Sequence, residues 1–279
     1  MKQLFLFVVC LLCMTAVAGD NASLRVASYN LRYNNPGDNE NAWPHRKEAV
    51  KALIVFHDFD IFGTQEGLKG QLDAIGQLSQ YAYTGAGRDD GKNSGEHSAI
   101  FYKKDRFQLL ESGNFWLSTT PDVPSMGWDA RCCKRICSWG KFQDNPSGRI
   151  FYFFNVHFDH EGKTARIESG KLMVQRIKEI AGDTPVICTG DFNSLPETEQ
   201  IQTMQTILND SYAISLLPPY GPVGTFNAFN PNAVPRGRID YIFTDKRMKV
   251  LKYGVLTDRY DNKFPSDHFP IVADIQWGD

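Results

Sequence analysis

Asn155-Val156-His157-Phe158-Asp159-His160 closes the most apolar run of the chain, residues 150–158, and Thr189-Gly190-Asp191-Phe192-Asn193 closes the next, residues 186–189. Both runs read as β-strands, because β-branched and aromatic residues fill them and polar groups enter only where they stop. The same pattern recurs outward in both directions. Tyr29-Asn30 ends the run 24–31, and Thr64-Gln65-Glu66 follows Asp60-Ile61-Phe62. Arg238-Ile239-Asp240-Tyr241 opens the run 239–244, Ser266-Asp267-His268 precedes 269–275, and a further run covers 99–102. One polar strand end is ordinarily a cap or a solvated group. Six such ends, on strands that a common core holds in register, point to a single rim where they converge.

Between the strands, apolar residues recur at helical spacing: Val50, Leu53 and Ile54; Leu72, Ile75 and Ser79; Ile167, Val174, Ile177 and Ala181; Ile201, Met204 and Leu208. No repeat and no Pro/Gly/Ser-rich linker divides the chain, so mixed elements from end to end argue for one α/β domain with layered β-structure covered by helices. Two loops are expected, over 117–130 and 217–238. The 279 residues are 42% hydrophobic with a net charge of −2, which excludes a disordered chain and gives no general electrostatic footprint for wrapping duplex DNA.

Residues 1–18 read as a secretory signal peptide. Lys2 gives the positive start, Leu4 to Leu12 the apolar stretch, and Ala16-Val17-Ala18 the small residues of a cleavage site before Gly19. The apolar stretch is shorter than the roughly 20 residues of a membrane helix. The expectation is an exported chain, periplasmic or secreted, not inserted in the membrane after cleavage and acting as a monomer, with 19–279 as one domain. Export permits disulfides. Pairing among Cys132, Cys133 and Cys137 is left open, and Cys188, inside an apolar run, reads as a buried thiol.

Carboxylates gathered on one rim repel unless a cation or protons relieve them, so the set implies a metal. Oxygen-rich ligation by carboxylates and amides suits Mg²⁺ or Mn²⁺ better than zinc.

Glu66 after Gln65, Gly-Asp-Phe-Asn at 190–193, Arg-Ile-Asp-Tyr at 238–241 and Ser-Asp-His at 266–268 together resemble the endonuclease/exonuclease/phosphatase superfamily, in order, over nearly the whole chain from Asn30 to His268. The resemblance, to an exported bacterial member, implies a four-layer α/β sandwich, with two mixed β-sheets packed face to face and helices outside. It also implies metal-dependent hydrolysis of a phosphate mono- or diester by direct attack of water. By the same resemblance Glu66 is the principal metal ligand, with Asn30 beside it and Asp267 close by. Asp191 orients or deprotonates the attacking water, and Asn193 donates to the phosphate. His268 faces the phosphate with Asp240 orienting it, and His157 is a second imidazole with Glu96 as its carboxylate partner. Two imidazolium-capable rings and an amide would stabilise charge as it develops on the phosphoryl oxygens.

The motifs around His157 and Asp240 are nearest the deadenylase and nocturnin side of the superfamily. An exported protein does not meet messenger-RNA tails, so a sugar phosphate, a nucleotide or extracellular nucleic acid is the expected substrate. Arg166 and Thr225 are supporting candidates, and Trp128 is either a stacking platform or loop packing. Asp159 and His160 read as solvated, and Arg131, Lys134 and Arg135 as a charged surface face. His157-x-Asp159-His160 also invites a dinuclear zinc hydrolase, a reading disfavoured because Asn155 stands where another His is usual. The competing function is a catalytically silent binding protein on the same scaffold, but such a copy should lack at least one of Glu66, Asp191, Asn193, Asp240 or His268, and all five are present.

Overall fold

The structure, a computed structural model, describes residues 23–278. The expected signal peptide lies outside them. Sheet one takes β1 (Leu24–Asn30), β2 (Ile61–Gln65), β3 (Tyr81–Thr84) and β4 (Ile100–Lys103) from the first part of the chain. Sheet two takes β5 (Phe107–Trp116), β6 (Ile136–Asp144), β7 (Ile150–His157), β8 (Val186–Asp191), β9 (Leu208–Asp210) and β10 (Asp240–Asp245). The chain then returns to sheet one with β11 (Lys249–Val255) and β12 (Ile271–Gln276). The strand orders are β11-β12-β1-β2-β4-β3 and β5-β6-β7-β8-β10-β9. Each sheet is mixed: β1–β2 and β7–β8 run parallel and their other neighbours antiparallel.

Strand alternation explains the layers. Leu24 and Val26 of β1, Phe151 and Phe153 of β7, and Ile187 and Ile242 face the other sheet and form the central core. The intervening Ala27 and Tyr29 face α1 (Trp43–Phe56) and α2 (Lys69–Gly76). Tyr152, Phe154 and Val156 face α3 (Lys163–Ala181) and α4 (Glu199–Gln205) on the opposite side, and a short α5 (Ser211–Ile214) follows β9. The result is the expected four-layer sandwich. Each fully buried Phe contributes about 1.5–3 kcal/mol relative to exposure, so the aromatic run 151–154 alone fastens three of the four layers.

Five strands were not legible, β3, β5, β6, β9 and β11, and Leu208, expected on a helix, instead starts β9. Both anticipated loops, 117–130 and 217–238, are free of helix and strand.

Above the apolar core the inter-sheet face turns polar. Asn155, fully buried, donates from Nδ2 to the carbonyls of Thr64 (2.8 Å) and Ala99 (2.9 Å) across the gap. Its Oδ1 accepts from Gln65 Nε2 (2.7 Å) and Thr189 Oγ1 (3.0 Å). Gly63 is required here, since a Cβ at that position would lie 2.2 Å from both Asn155 Oδ1 and Thr189 Oγ1. Asn155 is thus an inter-sheet tie beneath the rim.

Candidate active site

The period of two that buries Val26, Phe153, Ile187 and Ile242 between the sheets also aims the strand ends. Counting upward on that face gives Ser28 and Asn30 on β1, Asn155 and His157 on β7, Thr189 and Asp191 on β8, and Asp240 at the start of β10. Register completes the row, with His157 opposite Asp191 and Asp191 opposite Asp240. Glu66 is out of phase with Gln65 and would face the helices. Its left-handed backbone (φ 61°) breaks the alternation and lets its carboxylate reach the site, and Asn193 after β8 is likewise left-handed (φ 46°). Asp267 and His268 arrive just before β12, whose partner is β1.

These side chains form one bonded cluster. His268 Nδ1 meets Asp240 Oδ2 at 2.9 Å, and its Nε2 stands 3.7 Å from Asp191 Oδ2. His157 Nε2 is 3.6 Å from that same oxygen. Thr225 Oγ1 accepts from the backbone amides of Ile239 (3.2 Å) and Asp240 (3.3 Å), so Thr225 supports Asp240 and is buried away from any substrate.

The bonding places three of the expected residues in more detail. The Asn30 amide presents its NH₂ to Glu66 Oε1 (3.1 Å) and Asp191 Oδ2 (3.0 Å), while its oxygen accepts from the Arg32 amide (2.9 Å). Asn30 therefore bridges two carboxylates with its NH₂. Asn193 Nδ2 donates to Phe158 O (3.0 Å) and His157 Nε2 (3.1 Å), so both its protons are engaged within the protein. Glu96 bonds Arg88 Nη1 at 2.6 Å and stands 3.9 Å from His157 Nδ1, within ion-pair reach of the imidazole but not bonded to it.

The two histidines carry different charges. Burial opposes a charge on His268, but Asp240 and then Asp191 and Asp267 outweigh it and hold the ring protonated, its pKa well above the ordinary value. Burial, with Arg135 and Arg88 nearby, drives His157 well below its ordinary value. His157 is neutral and accepts from Asn193 at Nε2, leaving its proton on Nδ1 toward Glu96. Charge is thus favoured on His268 and disfavoured on His157. Asp191 is pushed up to about 7 by burial and by the Asp240 carboxylate. Burial also raises Asp267, against the pull of His268 and Arg32.

A cavity of about 640 Å³ opens above this cluster. Glu66, His157, Asp191, Asn193, Asp267 and His268 line its floor, and Arg32, Arg88 and Arg135 bring guanidinium groups to its walls beside His160. Arg135 is 4% exposed, with Nη2 2.6 Å from His160 Nδ1. It belongs to the site and not to a surface face, and His160 joins it there. Asp159 is buried too, accepting from the amides of Glu161 and Gly162. Arg88 and Arg32 went unnoticed in the sequence: Arg32 sits two residues past Asn30, whereas Arg88 carries no local signal.

Trp128 does not line this cavity. Its neighbour Asp129 accepts from the backbone amides of Thr164 (3.1 Å) and Ala165 (2.6 Å). The carboxylate thereby caps α3, whose own N-cap is Gly162, and pins the loop to the helix. Arg166 bonds Asp159 O at 3.2 Å and lines a neighbouring depression that shares only Asn193 with the main cavity. Cys132 and Cys133 are joined in a disulfide, with Cys133 on the cavity wall, while Cys137 and Cys188 are buried free thiols.

The donor chemistry fits a hard divalent cation. Glu66, Asp191, Asp240 and Asp267 crowd one space, Asp191 is pushed up by burial and then by Asp240, and Asp240 Oδ1 is buried without a hydrogen-bond partner. Asp191, Asp240 and His268 bring ligand atoms within 4.8 Å of one another. A protonated His268 is no ligand, which leaves carboxylate oxygens as the donors.

Comparison with known proteins gives a consistent picture. A sequence profile of the Endonuclease/Exonuclease/phosphatase family matches residues 27–268. The solved structure of the mannosyl-6-phosphatase Bt3783 from Bacteroides thetaiotaomicron VPI-5482 is 46% identical, covering 91% of this chain and 99% of that one, with a TM-score of 0.87. The catalytic domain of human Nocturnin, with a bound sulfate anion, shares the fold at 22% identity and a TM-score of 0.72, over 91% of this chain and 93% of that one. Nocturnin of Drosophila melanogaster is 25% identical over 95% of this chain, which spans 48% of that relative's length.

Proposed function

The chain belongs to the endonuclease/exonuclease/phosphatase family of phosphoester hydrolases, and from that premise we propose that it is an exported, divalent-metal-dependent phosphomonoesterase acting on a small sugar phosphate of the hexose 6-phosphate type. The observation that carries this reading is the cavity itself. Arg32, Arg88 and Arg135 line this one cavity, each oriented by a carboxylate (Asp38 at 2.8 Å, Glu96 at 2.6 Å, Asp159 at 3.4 Å), and a local group of cations of this kind suits a compact anionic ester better than a polynucleotide. The likeness to a mannosyl-6-phosphatase over 99% of that chain supports the same substrate class.

Glu66 and Asp267 would hold the cation with Asp191 at its edge, where Mg²⁺ or Mn²⁺ supplies Lewis acidity beside the phosphoryl oxygens. The rest follows from the chain's own groups. Asp191, poised near neutrality, takes a proton from the attacking water. Protonated His268, held by Asp240, donates from Nε2 to a phosphoryl oxygen as charge builds there. His157 keeps Asn193 in place, and Asn193 becomes a phosphate donor by releasing His157 Nε2. Water adds to phosphorus, the P–O bond to the sugar breaks, the sugar oxygen takes a proton from solvent as Asp191 gives its own back, and the alcohol and inorganic phosphate leave.

The test is the mature chain, stripped with chelator and resupplied with Mg²⁺ or Mn²⁺. It is assayed on mannose 6-phosphate, glycerol 3-phosphate, bis-p-nitrophenyl phosphate, and single-stranded DNA and RNA. Phosphate release from the monoesters alone, dependent on the added metal, is the expected result. Preferential cleavage of diester or nucleic acid overturns the monoesterase assignment. Silence on every substrate revives a binding protein on this scaffold.

A further inference from the structure

The Cys132–Cys133 disulfide is not explained by packing, since Cys132 is exposed and Cys133 half-buried on the cavity wall. Two adjacent cysteines so joined close a small ring with the peptide between them. The joined side chains present two polarisable sulfurs and no strong hydrogen-bond donor of their own. Nearly every other group around the cavity is charged or hydrogen-bonding, with Phe226 and Ile239 the main apolar exceptions.

The disulfide also keeps defined company. Cys132 Sγ, an Asp159 carboxylate oxygen and a His160 ring nitrogen lie within 4.8 Å of one another, and His160 in turn bonds Arg135. Asp159 holds the start of the following turn through the amides of Glu161 and Gly162. The plate is therefore seated on fixed groups beside polar ones that remain at the cavity surface.

A sugar phosphate has two unlike halves. Its phosphate belongs with His268, Asp191, Arg32 and Arg88. Its pyranose ring has a C–H face that prefers an apolar, polarisable surface, and an edge of hydroxyls that needs polar partners. Resting on the phosphomonoesterase reading above, we propose that the Cys132–Cys133 disulfide is the platform for the C–H face of the substrate's pyranose ring, with His160 and Arg135 binding its hydroxyls. The disulfide is thus a specificity determinant that separates ring-form sugar phosphates from acyclic ones.

The experiment compares kcat/KM for mannose 6-phosphate and glycerol 3-phosphate, two monoesters of which only the first carries a ring. It uses the wild type, the double variant C132S/C133S, and the wild type treated with a phosphine. The phosphine reduces the S–S bond to two thiols and is itself oxidised to the phosphine oxide, with water supplying the oxygen. Breaking the ring by either route should lower kcat/KM for mannose 6-phosphate about tenfold more than for glycerol 3-phosphate, about 1.4 kcal/mol of selective binding. The loss should fall mainly in KM. An unchanged ratio, or an equal loss on both substrates with a lowered Tm, overturns the platform while leaving the phosphatase reading intact. A wild type silent on both monoesters overturns both.

Discussion

Replacing Asn155 by alanine is expected to destabilise the fold by about 3 kcal/mol, although the residue touches neither substrate nor apolar core. Its side chain serves four partners between the sheets. Gln65 Nε2 keeps a second acceptor in Ser28 Oγ at 3.1 Å, and the Ala99 carbonyl keeps the Thr64 amide at 2.8 Å, so the loss is partial. A buried polar group left bare costs about 1–3 kcal/mol, and the space vacated against Gly63 adds a cavity contribution. For a domain of this size, 3 kcal/mol corresponds to a fall of about 6–12 °C in Tm. The decisive comparison is Asn155→Leu, which refills the volume but leaves the same partners bare. Thermal and urea unfolding of the three proteins, followed by circular dichroism, should place leucine beside alanine. A leucine variant within about 1 kcal/mol of wild type would refute the claim that polar bonding, and not packing, ties the sheets at this level.

Asp191→Asn should lower turnover by about 10²–10⁴-fold, the usual worth of a general base. Because burial and Asp240 already oppose its charge, the metal-free variant should melt no lower than metal-free wild type, and a lower Tm would contradict that electrostatic reading. His268→Ala should lose activity on a similar scale, and near-normal turnover would remove the imidazolium from the mechanism. At the opposite end of sheet one, burial pushes the Asp274 carboxyl up, but Arg25 at 2.8 Å and Lys252 at 3.0 Å outweigh it and hold it below the usual range. Its stabilisation is therefore present above the unfolded pKa of about 3.9 and lost as pH falls through the lower folded value. Asp274→Asn should cost about 1 kcal/mol or less at pH 7, given the partly exposed partners, and nothing near pH 2. A pH-independent difference in urea unfolding would count against this.

The rim was legible because strand alternation and hydrophobicity point the same way. Runs such as 150–158 and 186–189 fix both the core and the face on which His157 and Asp191 emerge. The missed strands lack that agreement. β5 carries the polar stretch Glu111-Ser112-Gly113-Asn114 and a register shift between Leu109 and Glu111, which breaks its period of two. The cationic wall was illegible for a different reason. Arg88 is placed by a loop folding back on itself, with its amide donating to Glu96 O at 3.0 Å. Arg135 is placed by its carbonyl accepting from Leu117 across the whole 117–135 loop at 2.8 Å. Those closures are long in sequence and leave no local pattern. The orientation of the Asn30 amide and the neutrality of His157 are properties of the assembled site and of no single residue.

The place of β12 has a consequence in time. The last of the described strands slots between β11 and β1, and Asp267 and His268 enter the site with it. A chain emerging from a ribosome N-terminus first keeps the flank of β1 bare until residues 271–276 are through. Glu66, His157, Asp191 and Asp240 are all out before then, but without the imidazolium they make an unfinished device. The cluster of acidic and imidazole groups is thus closed by a segment that follows every other described strand in sequence.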